Sequence, residues 1–263
     1  MDKIKVACFG MQGFGNNLLE ALLRTEKAEV TALYTRRSPH KFSYYECEPI
    51  ESLAERAGVP FFYVPDKGDW SCEAAELAIV SSFHRIFKKK QLERFRCTIN
   101  IHPALLPSYR GATPTNWIIK NGEQITGLSA HLVDEGIDTG NILFQEKLLN
   151  PYLDDNDLRK SLAFFSEKLI ADILAAYPDY SPISGADVAD SFFPPRTDKD
   201  ALLKIEDIKT IEQLIFHIKA FTNFPMPKLQ IGEKVFVIDY ENPKETLELT
   251  VNDQKFSVLG YWQ

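Results

Sequence analysis

Several features that would narrow the class of protein are scarce in this chain of 263 residues. It contains only four cysteines, and none of them forms a C-x-x-C pair. No apolar run reaches the roughly 20 residues of a transmembrane helix, and the N-terminus shows no signal-peptide cleavage pattern. Cys8 and Cys97 lie within apolar strand candidates, where a free thiol acts as a small buried hydrophobe. We therefore expect a cytoplasmic protein with reduced cysteines and no membrane partner.

Positive charge is also limited. Lys and Arg together number 30 against 37 Asp and Glu, which gives a net charge of −7, and the longest basic run is Lys88-Lys89-Lys90. A protein that binds a phosphate-rich polymer presents a basic face. A small anionic ligand needs only one or two local cations. The charge balance therefore favours a small-molecule partner over nucleic acid.

The order of apolar and polar stretches predicts an α/β fold with a doubly wound, mostly parallel sheet, because strands alternate with helices. Residues 38–47 are polar and are predicted as a loop. Residues 154–177 predict a long amphipathic helix. Its apolar stripe is formed by Leu158, Leu162, Phe165, Leu169 and Ile173. The predicted strands cover residues 4–9, 29–34, 60–64, 76–82, 97–102, 126–133 and 142–149.

Composition changes between residues 181 and 195, where proline, serine and glycine accumulate. We predict a Rossmann-like domain over residues 1–180, a linker over 181–195, and a small C-terminal α+β appendage over 196–263. The appendage contains an amphipathic helix and a hairpin about Gly232. It is small for an independent core, so we expect it to pack on the first domain or on a second subunit of a homodimer.

A glycine-rich turn, G-M-Q-G-F-G, follows the first strand at residues 10–15. Its spacing is G-x-x-G-x-G, whereas the dinucleotide-binding fingerprint is G-x-G-x-x-G. The second predicted strand also ends in Thr-Arg-Arg and not in the acid that would bind a ribose hydroxyl. We interpret the glycines as a tight turn and expect no NAD.

Two polar residues stand at the end of the strand predicted over residues 97–102, in the sequence T-I-N-I-H-P. Asn100 and His102 are two residues apart and therefore point to one face, while Ile99 and Ile101 point to the other. Pro103 ends the strand pairing. Ligands of open parallel sheets bind at this edge, beyond the carboxyl ends of the strands.

A second polar segment, D-E-G-I-D-T-G, follows the strand predicted over residues 126–133. Two glycines and three acids in seven residues indicate a tight loop. If the two strands are neighbours, Asp138 can reach Asn100 and His102.

The two motifs N-I-H-P-A-L-L-P-S-Y-R-G-A-T-P and H-L-V-D-E-G-I-D-T-G resemble the paired motifs of the 10-formyltetrahydrofolate-dependent formyltransferases. That family includes methionyl-tRNA formyltransferase, glycinamide ribonucleotide transformylase and the sugar-nucleotide N-formyltransferases. The resemblance covers the first two-thirds of the chain. It implies a catalytic trio of Asn100, His102 and Asp138, with 10-formyltetrahydrofolate as cosubstrate and no metal.

These residue types suit formyl transfer to an amine, which needs an oxyanion donor and a proton carrier. Asn100 can donate an amide N–H to the formyl oxygen. His102 can carry the proton or, when charged, stabilise the oxyanion. Asp138 can set the charge state of His102 and hold a water or the amine.

The resemblance also implies which loops line the pterin pocket. Four further candidates, assigned to the acceptor, lie in the glycine turn and in S-Y-R-G. His131 and Asp134 do not form a known metal-ligand spacing with His102, so no metal site is predicted. The predicted pterin-pocket residues are Ser81, Ser82, Phe83, His84, Arg85, Asp134, Gly136 and Ile137, and the acceptor candidates are Gly10, Gln12, Tyr109 and Arg110.

The C-terminal sequence R-T-D-K-D-A-L-L-K-I, a helix, and F-P-M-P-K-L-Q-I-G-E-K-V-F-V-I resembles the shortened tail of sugar-nucleotide N-formyltransferases. It lacks the tryptophan and the Pro-Gly-Ala run often seen there. The resemblance implies a dTDP-linked amino-dideoxysugar as acceptor, of the kind used in lipopolysaccharide O-antigen biosynthesis.

Other functions stay open. Methionyl-tRNA formyltransferase usually has a longer, more basic C-terminal domain, and glycinamide ribonucleotide transformylase is a shorter, single-domain enzyme. A regulatory protein that only binds folate or a nucleotide would not need the three polar residues together. A folate hydrolase, which uses water in place of the amine, is also compatible with these residues.

Overall fold

A computed structural model describes residues 2–37, 46–151, 154–222 and 225–263, so most of the loop predicted over 38–47 lies outside it. The helices are α1 (Phe14–Arg24), α2 (Ile50–Arg56), α3 (Lys89–Leu92), α4 (Pro114–Lys120), α5 (Asp155–Ala176) and α6 (Ile211–Ala220). The strands are β1 (Ile4–Gly10), β2 (Ala28–Thr35), β3 (Phe61–Tyr63), β4 (Ala75–Ser81), β5 (Phe95–His102), β6 (Arg110–Gly111), β7 (Ile125–Leu132), β8 (Ile142–Leu149), β9 (Phe192–Phe193), β10 (Leu202–Lys204), β11 (Lys228–Ile231), β12 (Lys234–Ile238), β13 (Glu245–Val251) and β14 (Gln254–Trp262).

The chain forms two compact units. The first contains Met1–Arg110, Thr126–Leu148 and Arg159–Phe192, and the second contains Gly111–Ile125, Leu149–Leu158 and Phe193–Gln263. Each unit combines several segments of the chain, so its limits cannot be compared directly with the predicted boundaries at residues 180 and 195. Those boundaries stay a prediction.

The first unit is built on a seven-stranded sheet of order β3-β2-β1-β4-β5-β7-β8. β1 pairs in parallel with β2 and β4, β2 with β3, and β4 with β5. β5 and β7 run antiparallel. The predicted α/β class with a mostly parallel sheet is confirmed.

The glycines between β1 and α1 are required by packing. A Cβ on Gly10 would lie 2.7 Å from the Cα of Gly15, and a Cβ on Gly15 would lie 2.9 Å from the carbonyl carbon of Gly10. Gly13 has φ 98°, a conformation that favours glycine. The close approach of strand and helix therefore accounts for Gly10 and Gly15, and the positive φ accounts for Gly13.

The long helix α5 departs from prediction at one position of its stripe. Leu162, Leu169 and Ile173 are fully buried, whereas Phe165 is 45% exposed. The buried side of the helix also includes Ser166. A helix turns by 100° per residue, so an arc that includes Ser166 moves Phe165 to its edge.

The second unit contains a five-stranded sheet of order β10-β11-β12-β14-β13. β11 and β12 form the predicted hairpin about Gly232, which has φ 59°. Leu214 of α6 packs in an apolar cluster with Leu229, Phe236 and Leu249 from the strands. The C-terminal region thus has a core of its own within this unit.

Two composition-based expectations concern thiols and membranes. All four cysteines are free thiols. None of the helices in the described part of the chain is both long and apolar enough to cross a membrane.

His217 is a buried histidine in the second unit. It is 2% exposed, and its Nε2 donates to the carbonyl oxygen of Ala201 at 2.8 Å. Burial lowers the pKa of His217 to about 4, and the charge of Lys120 contributes to the lowering. The neutral ring is therefore part of the folded state.

We predict an acid-labile contribution from this residue. Because the pKa of His217 is depressed on folding, its stabilising contribution is present above about pH 6.5 and is lost as the pH falls through about 4. The lost free energy is about 3 kcal/mol near pH 4. Urea denaturation at pH 7 and pH 4 should show that His217→Gln loses less stability between these pH values than the wild type. Equal losses in both proteins would contradict the prediction.

Candidate active site

Asn100 and His102 stand at the carboxyl end of β5, as the strand pattern predicts. Ile99 and Ile101 are buried at 0% and 1% exposure, and His102 is itself only 4% exposed. The β5–β7 register places Asn100 opposite His131. This pairing puts a second histidine beside the predicted residues.

Asp138 reaches the same place through a folded-back loop. Asp134 Oδ1 accepts hydrogen bonds from the backbone N–H of Gly136 at 2.9 Å and from the Thr139 hydroxyl at 2.7 Å. The backbone N–H of Leu132 donates to the carbonyl oxygen of Asn141, so the loop closes on the end of β7.

Within that loop Asp138 adopts φ 52°. Its carboxylate is 14% exposed and lies 3.5 Å from His102 Nδ1 through Oδ2. Its other oxygen, Oδ1, lies 3.4 Å from His131 Nε2 and accepts from Asn100 Nδ2 at 3.3 Å. We call Asn100, His102, His131 and Asp138 the Asp138 cluster.

The protonation pattern of His102 follows from its backbone partner. Its Nε2 lies 2.8 Å from the carbonyl oxygen of Tyr109. A carbonyl oxygen can only accept, so Nε2 carries the hydrogen and donates. In the neutral ring Nδ1 is then the basic atom, and it faces Asp138.

The Tyr109 carbonyl is itself held in place. Tyr109 adopts φ 58°, and its backbone N–H donates to the hydroxyl of Ser191 at 2.9 Å. The next backbone N–H, of Arg110, donates to the carbonyl oxygen of Ser191 at 2.8 Å. Left-handed backbone at non-glycine residues is a costly conformation that concentrates at functional sites, and Tyr109 and Asp138 both adopt it here.

Burial is the main influence on His102. It lowers the pKa of the imidazole, while the negative charge of Asp138 and the Tyr109 carbonyl act in the opposite direction. The ring is therefore neutral near pH 7, with Nδ1 able to accept a proton.

The amide of Asn100 contacts two acceptors at once. Its Nδ2 lies 3.1 Å from His131 Nε2 and 3.3 Å from Asp138 Oδ1. The two acceptor atoms are 3.4 Å apart. The three atoms form a nearly equilateral triangle, so the acceptors subtend roughly 60° at Nδ2, about half the angle between the two N–H bonds of an amide. Two acceptors this close together can share one N–H of the amide, which leaves the second N–H for another partner.

The loop after β4, which the resemblance assigns to the pterin, is shaped by packing. Ser81 is buried, and Ser82 adopts φ 56° while its carbonyl accepts from the backbone N–H of Met11. The ring of Phe83 contacts that of Phe9 at 5.4 Å between centroids. Phe83 therefore anchors the loop to the aromatic core under the sheet.

The next two side chains face a neighbouring segment. His84 Nε2 donates to the Val64 carbonyl at 3.1 Å, and burial lowers the pKa of His84. Arg85 donates to the carbonyl oxygens of Pro65 and Gly68. The side chains of His84 and Arg85 thus hold residues 64–68, and the binding role predicted for them stays a prediction.

The second predicted wall of the pterin pocket, Asp134, Gly136 and Ile137, belongs to the loop that carries Asp138. Ile137 is 41% exposed. Glu135 accepts a hydrogen bond from the backbone N–H of Lys89 at 3.3 Å. This contact ties the Asp138 loop to the segment that follows Arg85.

The acceptor candidates are not gathered at one point. Gln12 Nε2 donates to the carbonyl oxygen of Cys47 at 3.2 Å, and Gly10 is a packing glycine of the β1–α1 turn. Arg110 forms a two-pronged salt bridge with Asp190, at 2.8 and 3.3 Å. Their role in acceptor binding stays a prediction.

A cavity of about 360 Å³ opens elsewhere in the first unit. It includes none of the residues of the Asp138 cluster. Its lining is formed by Tyr34, Phe62, Tyr63, Val64, Pro65, Trp70, Ser71, Cys72 and Glu73.

Among the residues that the structure describes, no group of three or more His, Cys, Asp or Glu side chains is arranged to hold a metal ion.

Comparison with known proteins identifies the family. A family model described as Formyl transferase matches residues 68–174. Methionyl-tRNA formyltransferase of Synechococcus sp. (strain JA-3-3Ab) is 32% identical over 257 residues, which cover 92% of this chain and 78% of that protein. The chain belongs to the formyltransferase family. A second relative, the methionyl-tRNA formyltransferase of a Nitratiruptor species, is 27% identical over 93% of this chain and 83% of its own length.

Solved structures of the family share the fold. WlaRD, a sugar 3N-formyl transferase solved in the presence of dTDP and 5-N-formyl-THF, aligns with a TM-score of 0.67 and 19% identity over 100% of this chain and 98% of its own. The N-formyltransferase from Helicobacter canadensis, in complex with folinic acid and dTDP-3-aminofucose, also has a TM-score of 0.67 and 19% identity, over 99% and 100%. The expectation of a formyltransferase enzyme is confirmed.

Two parts of the site are not indicated by the sequence motifs. The motifs single out His131 only as a metal-ligand candidate, whereas its register opposite Asn100 places it in the Asp138 cluster. Ser191, which holds the Tyr109 backbone, lies within the segment predicted as a linker. A search for polar residues at alternate positions of β7 could have found His131, whereas no local pattern indicates Ser191.

We predict that the trio is required for turnover. Asn100→Ala and His102→Gln should each lower kcat by at least about 100-fold, as loss of an oxyanion donor or proton carrier commonly does. Steady-state kinetics measure the effect. Because neither change removes a large apolar contact, Tm should change little. His217→Gln, a change at a buried histidine outside the Asp138 cluster, is the control and should keep its turnover. Near-normal kcat in either trio variant would show that the assignment is wrong.

A second prediction concerns the proton affinity of His102. NMR titration of the imidazole should give a pKa below that of a free histidine, because burial disfavours the charged ring. In Asp138→Asn the pKa should fall further, since the anion that opposes burial is gone. A rise in the pKa on this substitution would contradict the charge pairing.

Proposed function

We propose that this formyltransferase moves the formyl group of 10-formyltetrahydrofolate to the amine of a dTDP-linked amino-dideoxysugar. The observation that carries the chemistry is the Asp138 cluster, in which an amide donor and a basic imidazole nitrogen face one carboxylate at distances of 3.3 and 3.5 Å. The family match supports formyl transfer, and the acceptor rests on the arguments below.

Each residue of the trio has a task that its contacts allow. The folate supplies the formyl group. When one N–H of Asn100 serves both Asp138 and His131, the other can donate to the formyl oxygen as negative charge develops on it. His102, neutral because burial lowers its pKa, can take the proton of the attacking amine at Nδ1. Asp138 then stabilises the imidazolium, whose Nδ1 is 3.5 Å away. His102 can return that proton to the folate nitrogen, which leaves as its bond to the formyl carbon breaks.

The folate site is proposed at the loops on either side of the trio. Residues 81–85 follow β4 and residues 134–137 follow β7, and the Glu135–Lys89 hydrogen bond links the two segments. Buried Ser81 Oγ has no hydrogen-bond partner in the described residues, which suits a polar ligand at this edge. The presence of 5-N-formyl-THF in one sugar N-formyltransferase structure, and the complex of the other with folinic acid, support a folate site.

Two observations support a nucleotide-sugar acceptor. The two sugar N-formyltransferases align over nearly the full length of both chains, and they were solved in the presence of dTDP or in complex with dTDP-3-aminofucose. The net charge of −7 offers little gain from counterion release on a polyanion. A nucleotide-sugar carries a single diphosphate, which one or two cations and backbone N–H groups can hold.

Formylation of methionyl-tRNA is the second candidate. The observation that favours it is sequence identity: one methionyl-tRNA formyltransferase is 32% identical over 92% of this chain, against 19% for the two sugar enzymes. A catalytic site shared by both functions explains how these likenesses coexist, because the Asp138 cluster acts on an amine whatever carries it.

The acceptor can be decided by direct assay. We predict that a panel of amino-sugar nucleotides, incubated with 10-formyltetrahydrofolate and followed by mass spectrometry, contains a dTDP-amino-dideoxysugar that gains a formyl group. Methionyl-tRNA, assayed at low and moderate salt, should show weak turnover or none. Efficient tRNA formylation that falls steeply with salt, without sugar turnover, would refute the acceptor and leave formyl transfer intact.

Ligand binding gives a further prediction. Reduced folates should raise Tm with increasing concentration, because they bind the folded state only. NAD and NADP should leave Tm unchanged, since the packing of the glycines between β1 and α1 accounts for that motif. Saturable NAD binding without any effect of folate would favour a dehydrogenase.

A further inference from the structure

We propose that His131 is a positioning residue for formyl transfer, and that its Nε2 holds the amide of Asn100 so that nitrogen, not oxygen, faces the reacting group. The inference rests on the formyl transfer proposed above, and not on which acceptor supplies the amine. His131 acts through Asn100.

The ring of His131 is locked by the backbone. It is 2% exposed, and its Nδ1 lies 2.8 Å from the carbonyl oxygen of Leu132. Because the carbonyl can only accept, Nδ1 carries the hydrogen, and Nε2 of the neutral ring presents a lone pair. The antiparallel register of β5 and β7 points this lone pair at Asn100.

Both atoms that face the Asn100 amide are therefore acceptors. They are His131 Nε2 at 3.1 Å and Asp138 Oδ1 at 3.3 Å. An amide flipped by 180° would place its own oxygen against two lone pairs. The pair thus selects the orientation in which Nδ2 faces them. Because one N–H can serve both acceptors, the other N–H can serve the formyl oxygen.

Asp138 alone is a weaker anchor for this amide. Its distance to Nδ2 is the longer of the two, and its carboxylate also faces His102 Nδ1 at 3.5 Å. When the imidazolium of His102 forms, it competes for the same carboxylate. His131 keeps the Asn100 amide in place during that change.

The test uses variants of the full chain and kinetics on whichever acceptor the wild type formylates. His131→Leu removes the acceptor and should lower kcat about 10- to 100-fold, because a misplaced catalytic group can cost up to about 100-fold, with a small change in KM. His131→Gln can place its side-chain oxygen near the position of Nε2 and should recover much of this loss. The shorter His131→Asn should not. His217→Gln controls for the general effect of replacing a buried histidine.

A double-mutant cycle separates positioning from structural support. If His131 acts through Asn100, adding His131→Leu to Asn100→Ala should lower kcat no further than about twofold. Independent, multiplicative losses would overturn the proposal, as would a His131→Leu enzyme with wild-type kcat.

A readout without turnover tests the geometry alone. Nitrogen-15 NMR of the neutral imidazole should show His131 as the tautomer with its hydrogen on Nδ1. A hydrogen on Nε2 would overturn the proposal, whatever acceptor is found. If the protein formylates no acceptor but shows the expected tautomer, the proposed function is refuted, and with it the catalytic role of His131. The hydrogen-bond geometry of His131 and Asn100 would still be correct.

Discussion

The site depends on the carboxylate of Asp138, which faces nitrogen atoms of two histidines and an asparagine. Backbone carbonyl groups determine which nitrogen of each histidine carries the hydrogen. His102 donates through Nε2 to Tyr109 and His131 donates through Nδ1 to Leu132, both at 2.8 Å. Each ring therefore turns its basic nitrogen toward Asp138. Since buried polar groups need hydrogen-bond partners, the two carbonyls decide which nitrogen is available for chemistry. The amide of Asn100 supplies the donor that this carboxylate requires.

The fold brings these groups together through one antiparallel pair in a mostly parallel sheet. β5 ends at His102, at the edge where parallel strands present their ligands, whereas β7 runs in the opposite direction beside it. The loop after β7 must therefore turn back to reach Asn100. Asp134 closes that turn through Gly136 and Thr139, and Asp138 takes a left-handed backbone within it. The acidic, glycine-containing loop thus places Asp138 beside Asn100, His102 and His131.

Part of this could be predicted because its causes are local. Alternation along a strand placed Asn100 and His102 on one face, and the loop composition singled out Asp138. The direction of β7, the partner of His131 and the hydrogen bond from Tyr109 to Ser191 depend on contacts between distant segments, which no local pattern encodes. The predicted burial of Phe165 is wrong for a related reason. Tertiary packing rotates the buried arc of α5 slightly, and this leaves Phe165 at its exposed edge. The roles of the site residues remain predictions, since position alone does not define them.

The central claim is that the Asp138 cluster faces the reacting formyl group. A structure of the protein with 5-formyltetrahydrofolate, a stable analogue of the donor, and an amino-sugar nucleotide tests it most directly. The account predicts that the formyl group lies at the cluster, with its oxygen within about 3.1 Å of Asn100 Nδ2 and the acceptor amine beside His102 Nδ1. Folate bound instead in the cavity lined by Tyr34, Tyr63 and Trp70, with Asn100 engaged only by His131 and Asp138, would contradict it.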